Sequence, residues 1–580
     1  MTLATLSIIE NLNEEQIEIV NRIRGPLLVA AGPGSGKTLA IIRRVAMLIQ
    51  QGVPAQSIIA VTFTNRAARE MKERLSVLMG DTSEKVFVGT LHLLGLRIIQ
   101  ENTTKRFLIY NRSEQIGLLM SLLQISKTKA MDLVDQISYT KNLNIGPSGQ
   151  LREPFERYQA AMMEQRALDF DDLILKPLEL LDNPDLLQKY RDNIHHIIVD
   201  EYQDINTAQY RLLRLLAGNN ATVCAVGDPD QAIYAFRGAD VENFLNFGKD
   251  FVGAAEVTLS LNYRCSGSIV RASDGVIIHN TRRIKKEVKA VKGDGPMIVI
   301  ASVPDEGAEG EFIAREIDAR LGGLRHNSLL HTGNQKEYPG PPFCFSDFAV
   351  IFRTNNQAEA IEEKLAAFGI PCRVLGGGSA ENRREVTCNM VSLLKQVFTS
   401  EEMRDQLFAI RTSDLLDILT KNGRCNIDQI TNTTNHIRLI FGDAWEEMTA
   451  GDMVNELNLF ADQDGFDPRA EAVNLMTLHM AKGLEFRSIF ISGVEDGLIP
   501  YGAGNGSVDI EEERRLFYVG MTRAKEELFL IYKRTGLVYG KKTKRSPSPF
   551  LSHIPEACVE RITISDRPRK SRSKEQMKLF

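Results

Sequence analysis

The nine residues AAGPGSGKT, 30–38, lie between the apolar run PLLV (26–29) and LAIIRRVAMLI (39–49), whose apolar residues recur at helical spacing. Strand, glycine-rich loop and helix in that order make a phosphate cradle. The loop is Gly32, Pro33, Gly34, Ser35 and Gly36, and the pattern departs from G-x-x-x-x-G-K-[ST] only in its first residue, Ala31. Gly34 and Gly36 let backbone N–H groups close on phosphates, Lys37 can reach the β and γ phosphates, and Thr38 can hold Mg²⁺ where the helix starts. A bare glycine-rich turn would need neither the strand before it nor the helix after it. The spacing therefore predicts a nucleoside triphosphate site, and the remaining question is what work the triphosphate drives.

Seven further apolar runs extend this reading: IIAVTF, HIIVDE and TVCAVGD before residue 230, then FAVIF, VNLMTL, SIFISG and ELFLIY after residue 345. With PLLVAA they read as buried parallel strands alternating with helices, which predicts two α/β cores. Residues 93–189 and 386–470 carry helical patterns and read as helical insertions, one in each core. In HIIVDEYQD the strand runs out at Asp200 and Glu201. Two acids at a strand end are commonly just solvated. After a phosphate loop, that position suits a Mg²⁺ ligand, Asp200, and a carboxylate, Glu201, that orients or deprotonates the attacking water.

Composition bounds the alternatives. At 580 residues the chain has room for several domains. Its net charge of -5 gives no global attraction to nucleic acid, so any DNA binding requires a local groove. Seven cysteines without a C-x-x-C pair argue against a zinc site, an iron–sulfur cluster or a disulfide framework. No apolar segment approaches a membrane span and the N-terminus lacks a signal-peptide pattern, so a cytoplasmic protein with no membrane partner is expected.

VDEYQD (199–204), VGDPDQAIYAFRGA (226–239), LNYR (261–264), LMTLHMAKGLEF (475–486) and EEERRLFYVGMTRAKEEL (511–528) occur in this order over nearly the whole chain. Together they resemble the UvrD/Rep/PcrA type of superfamily-one DNA helicase. The resemblance implies two RecA-like P-loop motor cores, each interrupted by a largely helical accessory insertion. ATP with Mg²⁺ would bind in the cleft between the cores, with single-stranded DNA across their top and 3′ to 5′ translocation. The expected boundaries are 1–92 with 190–275 for the first core, 93–189 for its insertion, 276–385 with 471–555 for the second core and 386–470 for a reduced insertion. Residues 556–580 are expected to be a disordered basic tail.

The resemblance also assigns residues. Gln16 would read the adenine edge, Tyr263 would stack on the adenine, and Arg264 and Gln231 would contact the γ phosphate. Glu485 would contact the ribose, and Arg523 would be the arginine finger stabilising transition-state charge. On the DNA path, Phe63, Phe170, Tyr234 and Phe236 match residues that stack on bases or line the strand. Thr90, His92, Arg237, Arg353, Asn355 and His479 match polar groups near phosphates or between the two sites. Departures are Phe236 where Trp is usual, Arg66 for Lys, Ala232 for Ser, Ala235 for a small or polar residue, and GGGSAENRREV (376–386) without its usual aromatic pair. The short second insertion makes translocation a firmer expectation than duplex unwinding.

The last five residues, QMKLF, resemble the peptide by which bacterial proteins dock on the replication sliding clamp, with Leu579 and Phe580 as apolar anchors and Gln576 as the hydrogen-bonding end. The basic tail could instead hold nucleic acid electrostatically. The expected activity is an ATP-dependent 3′–5′ helicase on single-stranded and 3′-tailed DNA, in bacterial repair or replication, associated with the nucleoid. The rival readings are a translocase that displaces proteins without separating strands, and a clamp-bound scaffold using ATP only structurally.

Overall fold

The computed structural model describes residues 7–322, 341–375, 409–411, 414, 447–459, 470–502, 508–538 and 541–565. They group into two compact units, the first drawn from Met1–Tyr263, Arg282–Lys289 and Leu375–Asp467, the second from Arg264–Thr281, Ala290–Val374 and Pro468–Phe580.

In the first unit, β1 (Leu27–Ala31), β2 (Ile58–Thr62), β3 (Phe87–Thr90), β4 (His196–Val199), β5 (Thr222–Gly227) and β6 (Ala255–Leu259) form one parallel sheet in the order β3-β2-β4-β5-β1-β6. The period of two in a strand splits each apolar run between two cores. Leu27, Val29 and Ala31 pack with the helix Lys37–Gln50 and with Met71 and Leu75 of the helix Asn65–Met79. Leu28 and Ala30 pack on the other face with Leu91, Leu94, Leu212 and Leu216, from the helices Leu91–Asn102 and Thr207–Ala217. Burial on both faces is why these strands read as unbroken apolar runs. Because every strand runs the same way, the residues following β1, β2, β3, β4, β5 and β6 all leave from one edge of the sheet.

The helical insertion has its own core, including Leu119, Ala130, Val134, Ile137, Tyr158 and Met162, beside a two-residue parallel ladder of Leu108–Ile109 with Ala167–Leu168. Ala450, Met453 and Val454, from the helix Ala450–Asn458, complete that core. The ladder's outer edge is paired by side-chain amides: Ile109 N–H donates to Asn455 Oδ1 (2.9 Å), and Asn455 Nδ2 donates to the Phe107 carbonyl (3.0 Å). Asn458 Nδ2 likewise donates to the Ile109 carbonyl (2.7 Å). The helix Ala450–Asn458, within the segment expected as the second core's insertion, thus packs in the first unit. Its apolar face and its two asparagines find their partners there.

In the second unit, β7 (Ile298–Val303), β8 (Phe348–Phe352), β9 (Cys372–Val374), β10 (Val473–Thr477), β11 (Phe486–Ile491), β12 (Ala524–Lys533) and β13 (Val559–Thr563) form a parallel sheet in the order β9-β10-β8-β11-β12-β7-β13. Its core includes Val350, Phe352, Leu475, Phe490 and Ile531 with Ile313 and Ile317 of the helix Glu306–Arg320. Two expected boundaries move. The first core ends at Tyr263, inside LNYR, and Arg282–Lys289 returns to it. Val559–Thr563, expected as part of a disordered tail, are instead the strand β13, paired with β7 along Ile298–Ser302. Its backbone hydrogen bonds offset its polar side chains. Residues 566–580, with Gln576, Leu579 and Phe580, lie outside the described residues.

Asn455→Leu keeps the branched outline and the number of side-chain heavy atoms but leaves Ile109 N–H and the Phe107 carbonyl unpaired. It should cost about 1–3 kcal/mol per stranded group and lower the melting temperature in calorimetry. An unchanged transition would show that the amides do not hold this helix in place.

Candidate active site

The phosphate loop is fixed from behind. Each carbonyl from Gly32 to Gly36 accepts a hydrogen bond: Gly32 from Ser35 Oγ (2.8 Å), Pro33 from Asn262 Nδ2 (2.8 Å), Gly34 from the Tyr263 N–H (2.9 Å), Ser35 from Gln16 Nε2 (3.0 Å) and Gly36 from the Ala40 N–H (3.0 Å). With the carbonyls held on one side, the loop presents N–H groups on the other, at the start of the helix Lys37–Gln50, where the helix dipole also favours an anion. Gly36 has φ +80°, and a Cβ there would stand 2.6 Å from Gln16 Nε2, so this position requires glycine.

Gln16 is buried in the first turn of the helix Glu14–Asn21, where its Oε1 also accepts the Asn13 N–H (3.2 Å) in a capping box. One donor and one acceptor of its amide therefore brace the chain, leaving one of each for an adenine edge. Tyr263 is 41% exposed, so its ring has a face available for stacking, and its hydroxyl accepts from Asn13 Nδ2 (2.9 Å).

Asp200 and Glu201 follow β4. Asp200 donates its N–H to the Val61 carbonyl (2.8 Å), and its carboxylate accepts the Glu201 N–H (3.0 Å). Glu201 adopts φ +53°, an uncommon conformation for a non-glycine residue that is found at functional sites. Its carboxylate lies 3.8 Å from Lys37 Nζ. Burial, then the Glu201 carboxylate, push the Asp200 carboxyl up to about 7, opposed by Lys37. A buried carboxyl of this kind is relieved by a cation. Asp200 with the Thr38 hydroxyl at the helix start fits Mg²⁺, which is held by one or two carboxylates plus substrate phosphates, not by an all-protein cage. Among the described residues no group of three or more His, Cys, Asp or Glu could hold a metal ion. After β5, Gln231 Nε2 donates to Asp228 Oδ2 (2.6 Å), and both residues are buried.

The first unit therefore gathers Gln16, the phosphate loop with Lys37 and Thr38, Asp200, Glu201, Gln231 and Tyr263. Arg264, Glu485 and Arg523 lie in the second. Arg264 Nε pairs with Glu485 (2.7 Å), and Lys525 pairs with the same carboxylate (2.8 Å). Burial would raise the Glu485 carboxyl, but Arg264 and Lys525 outweigh it and hold it at about 2. Arg523 is buried after the helix Ile510–Met521, its Nε donating to the Val519 carbonyl (3.0 Å). Glu485 and Arg523 stand side by side at the entry to β11 and β12, where Phe486 N–H bonds the Arg523 carbonyl (3.0 Å). Arg353, Asn355 and His479 follow β8 and β10 and so lie at the opposite edge of that sheet.

The aromatics expected on the DNA path also collect in the first unit. Phe63 and Tyr234 stack at 4.9 Å, Phe236 lies 6.0 Å from Tyr234 and is 58% exposed, and the Arg237 guanidinium covers both Tyr234 and Phe236 at 5.6 and 5.5 Å. His92 tilts against Phe170 at 4.4 Å. Burial, then Arg237, lower the His92 imidazole to about 4, so at neutral pH it is an uncharged hydrogen-bonding group, not a phosphate-binding cation. The Thr90 hydroxyl caps the helix Leu91–Asn102 by accepting the Leu93 N–H (3.2 Å). In the second unit, Arg353 forms a two-pronged pair with Glu513 (2.7 and 3.2 Å) and lies 4.8 Å from the centre of the half-exposed Tyr501 ring, while Asn355 is exposed.

Four residues that support these groups are absent from the sequence-based assignments: Asn262, Lys286, Lys141 and Tyr501. Lys141 is fully buried between Asp169 (2.6 Å) and Asp172 (2.7 Å), which fixes the turn carrying Phe170. The sequence signal was the three aspartates of LDFDDL, too many to bury without a cation.

A parallel α/β sheet with a phosphate loop after its interior strand β1, and a carboxylate pair after β4, defines a P-loop nucleoside triphosphatase. The UvrD/REP helicase N-terminal domain matches residues 12–252, and the UvrD-like helicase C-terminal domain matches 257–403 and 400–535. The ATP-dependent DNA helicase PcrA of Staphylococcus aureus (strain MRSA252) is 30% identical over 665 aligned positions, covering 97% of this chain and 88% of the relative. PcrA of Bacillus subtilis (strain 168) is 29% identical over 667 positions with the same coverage. The chain belongs to the UvrD/REP helicase family, whose two domains are RecA-like P-loop cores.

Because folding raises the Asp200 carboxyl, its ionisation opposes folding. The penalty grows as pH rises from the ordinary carboxylate range towards 7 and is complete above it. Without nucleotide or Mg²⁺, Asp200→Asn should raise the melting temperature more at pH 8 than at pH 5.5. An equal shift at both values would mean that Asp200 does not titrate in this range.

Proposed function

We propose that this protein is a Mg²⁺-dependent, DNA-stimulated ATPase that moves 3′ to 5′ along single-stranded DNA and opens 3′-tailed duplexes, serving DNA repair or replication in a bacterial cytoplasm. The observation that carries this reading is one loop. The segment after β5 holds Gln231, buried beside the nucleotide site, and three residues later begins the Tyr234, Phe236 and Arg237 platform. A change of phosphate state felt at Gln231 therefore reaches a base-stacking surface through a few bonds of backbone. Aromatic platforms with a guanidinium suit single strands, since every base has a face to stack.

In this reading Lys37 and the loop N–H groups bind the β and γ phosphates, and Glu201 orients the attacking water and takes its proton. Gln231 senses the γ phosphate, and Arg523 from the second core supplies transition-state charge. Thr38 and Asp200 would hold Mg²⁺, which neutralises phosphate charge when bound. Gln16 and Tyr263 would bind the adenine, and Glu485 the ribose. Arg264 would leave Glu485 for a phosphate, an exchange that the exposure of Glu485 favours. Phe63, Phe170, Thr90, His92, Arg353, Asn355 and His479 complete the proposed strand path, and the QMKLF end would dock on a sliding clamp. The alignments with PcrA are longer than this chain, so the relatives carry residues facing gaps. That favours, as the second reading, a translocase that clears proteins from a single strand with little unwinding.

Lys37→Ala should abolish DNA-stimulated ATP hydrolysis with the fold intact by circular dichroism. Arg523→Ala should keep nucleotide binding and lose about 100-fold or more in turnover, as removal of a transition-state charge clamp does; turnover like the wild type in either variant would reject the assignment. Strand displacement on 3′- and 5′-tailed duplexes, beside displacement of streptavidin from a biotinylated strand, separates the two readings. Opening of the 3′-tailed duplex supports the first, and streptavidin release without opening supports the second.

A further inference from the structure

Behind the nucleotide site, buried hydrogen bonds join Gln231, one of the groups that would act on the γ phosphate, to a lysine far along the chain. Gln203 Nε2 donates to the Glu201 carboxylate, and Gln203 Oε1 accepts the Asp228 N–H (2.9 Å). The Asp228 carboxylate accepts Gln231 Nε2 (2.6 Å), the Asp230 N–H (3.1 Å) and Lys286 Nζ. Lys286 also pairs with Asp230 (3.0 Å), which accepts Arg283 Nη2 as well (2.8 Å). The Lys286 side chain is 1% exposed, and those of Asp228 and Asp230 are fully buried. The packing is close: a Cβ on Gly227 would stand 2.1 Å from Gln203 Oε1.

Two physical facts give the lysine a role. The terminal amide of a glutamine turns easily, so Gln231 points in one direction only while its acceptor is fixed. A buried carboxylate stays ionised, and stays a strong acceptor, only beside a cation. Burial would raise Asp228 and lower Lys286, yet each holds the other in its charged form. Lys286 lies in Arg282–Lys289, eight residues that belong to the first unit although the chain on both sides of them belongs to the second.

We propose that Lys286 is a positioning residue for ATP hydrolysis: by fixing the Asp228 carboxylate it aims the Gln231 amide. This rests on the role given to Gln231 under the proposed function. Arg283 supports the arrangement from Asp230.

The test compares wild type, Lys286→Met, Lys286→Arg and the double variant Lys286→Met/Asp230→Asn, which removes one of the carboxylates left without its lysine. Melting temperature, affinity for a fluorescent ATP analogue and the kcat and KM of DNA-stimulated hydrolysis are measured for each. Lys286→Met should lower kcat about 10- to 100-fold, the range for losing an outer partner that orients a reacting group, with nucleotide affinity unchanged. Lys286→Arg should recover most of kcat, and the double variant should regain melting temperature without regaining kcat. If Lys286→Met is too unstable to purify, Lys286→Arg and the double variant decide the matter. Wild-type kcat in Lys286→Met, or recovery of kcat together with stability in the double variant, overturns the proposal and reduces Lys286 to a structural counterion. Absence of DNA-stimulated hydrolysis in the wild type would instead remove the ATPase reading itself.

Discussion

A backbone that binds phosphate must show its N–H groups to the ligand, and its carbonyls must then be satisfied elsewhere. In this protein that requirement is met carbonyl by carbonyl from Gly32 to Gly36, by Ser35, Asn262, Tyr263, Gln16 and Ala40. Two of these donors come from LNYR, more than two hundred residues downstream, and one from the helix Glu14–Asn21. The loop's shape is therefore a property of the whole first unit. Its position at the end of β1, inside a sheet buried on both faces, keeps the supports rigid.

The same region drives two buried aspartates in opposite directions. Asp200 has a second carboxylate beside it and is pushed up to about 7, while Asp228 is held low because Lys286 and Lys37 outweigh its burial. One aspartate is thus a buried carboxyl that a cation would relieve, and the other is an ionised acceptor of the Gln231 amide, the Asp230 N–H and Lys286. Residue type does not distinguish them; their neighbours do.

The helix Ala450–Asn458 shows how the accessory segments enter this scheme. Its asparagines close the edge of a two-strand ladder, and the next residue, Leu459, packs in a cluster with Leu168, Leu173 and the expected DNA-contacting Phe170. The Leu459 carbonyl also accepts Asn65 Nδ2 (2.9 Å), at the start of the helix that follows Phe63. A segment far down the chain thereby supports two aromatics that the sequence places on the strand path.

The sequence alone determined the α/β class, the phosphate loop and the eight strands that are continuous apolar runs, because burial on both faces leaves that mark in composition. Of the five other strands of the two large sheets, β3, β6, β9 and β13 are sheet edges with half-exposed or polar side chains; β7 is apolar and interior, and only its pairing with β12 and β13 identifies it. The motif residues were legible because phosphate chemistry limits which side chains can serve. What only the tertiary structure decided is which groups neutralise one another: Arg264 with Glu485, Arg353 with Glu513, Lys141 with Asp169 and Asp172, and Lys286 with Asp228 and Asp230. Ion pairs between residues so distant in sequence leave no periodicity or spacing to read, since a charge is set by its neighbours in space and the chain's order does not specify them.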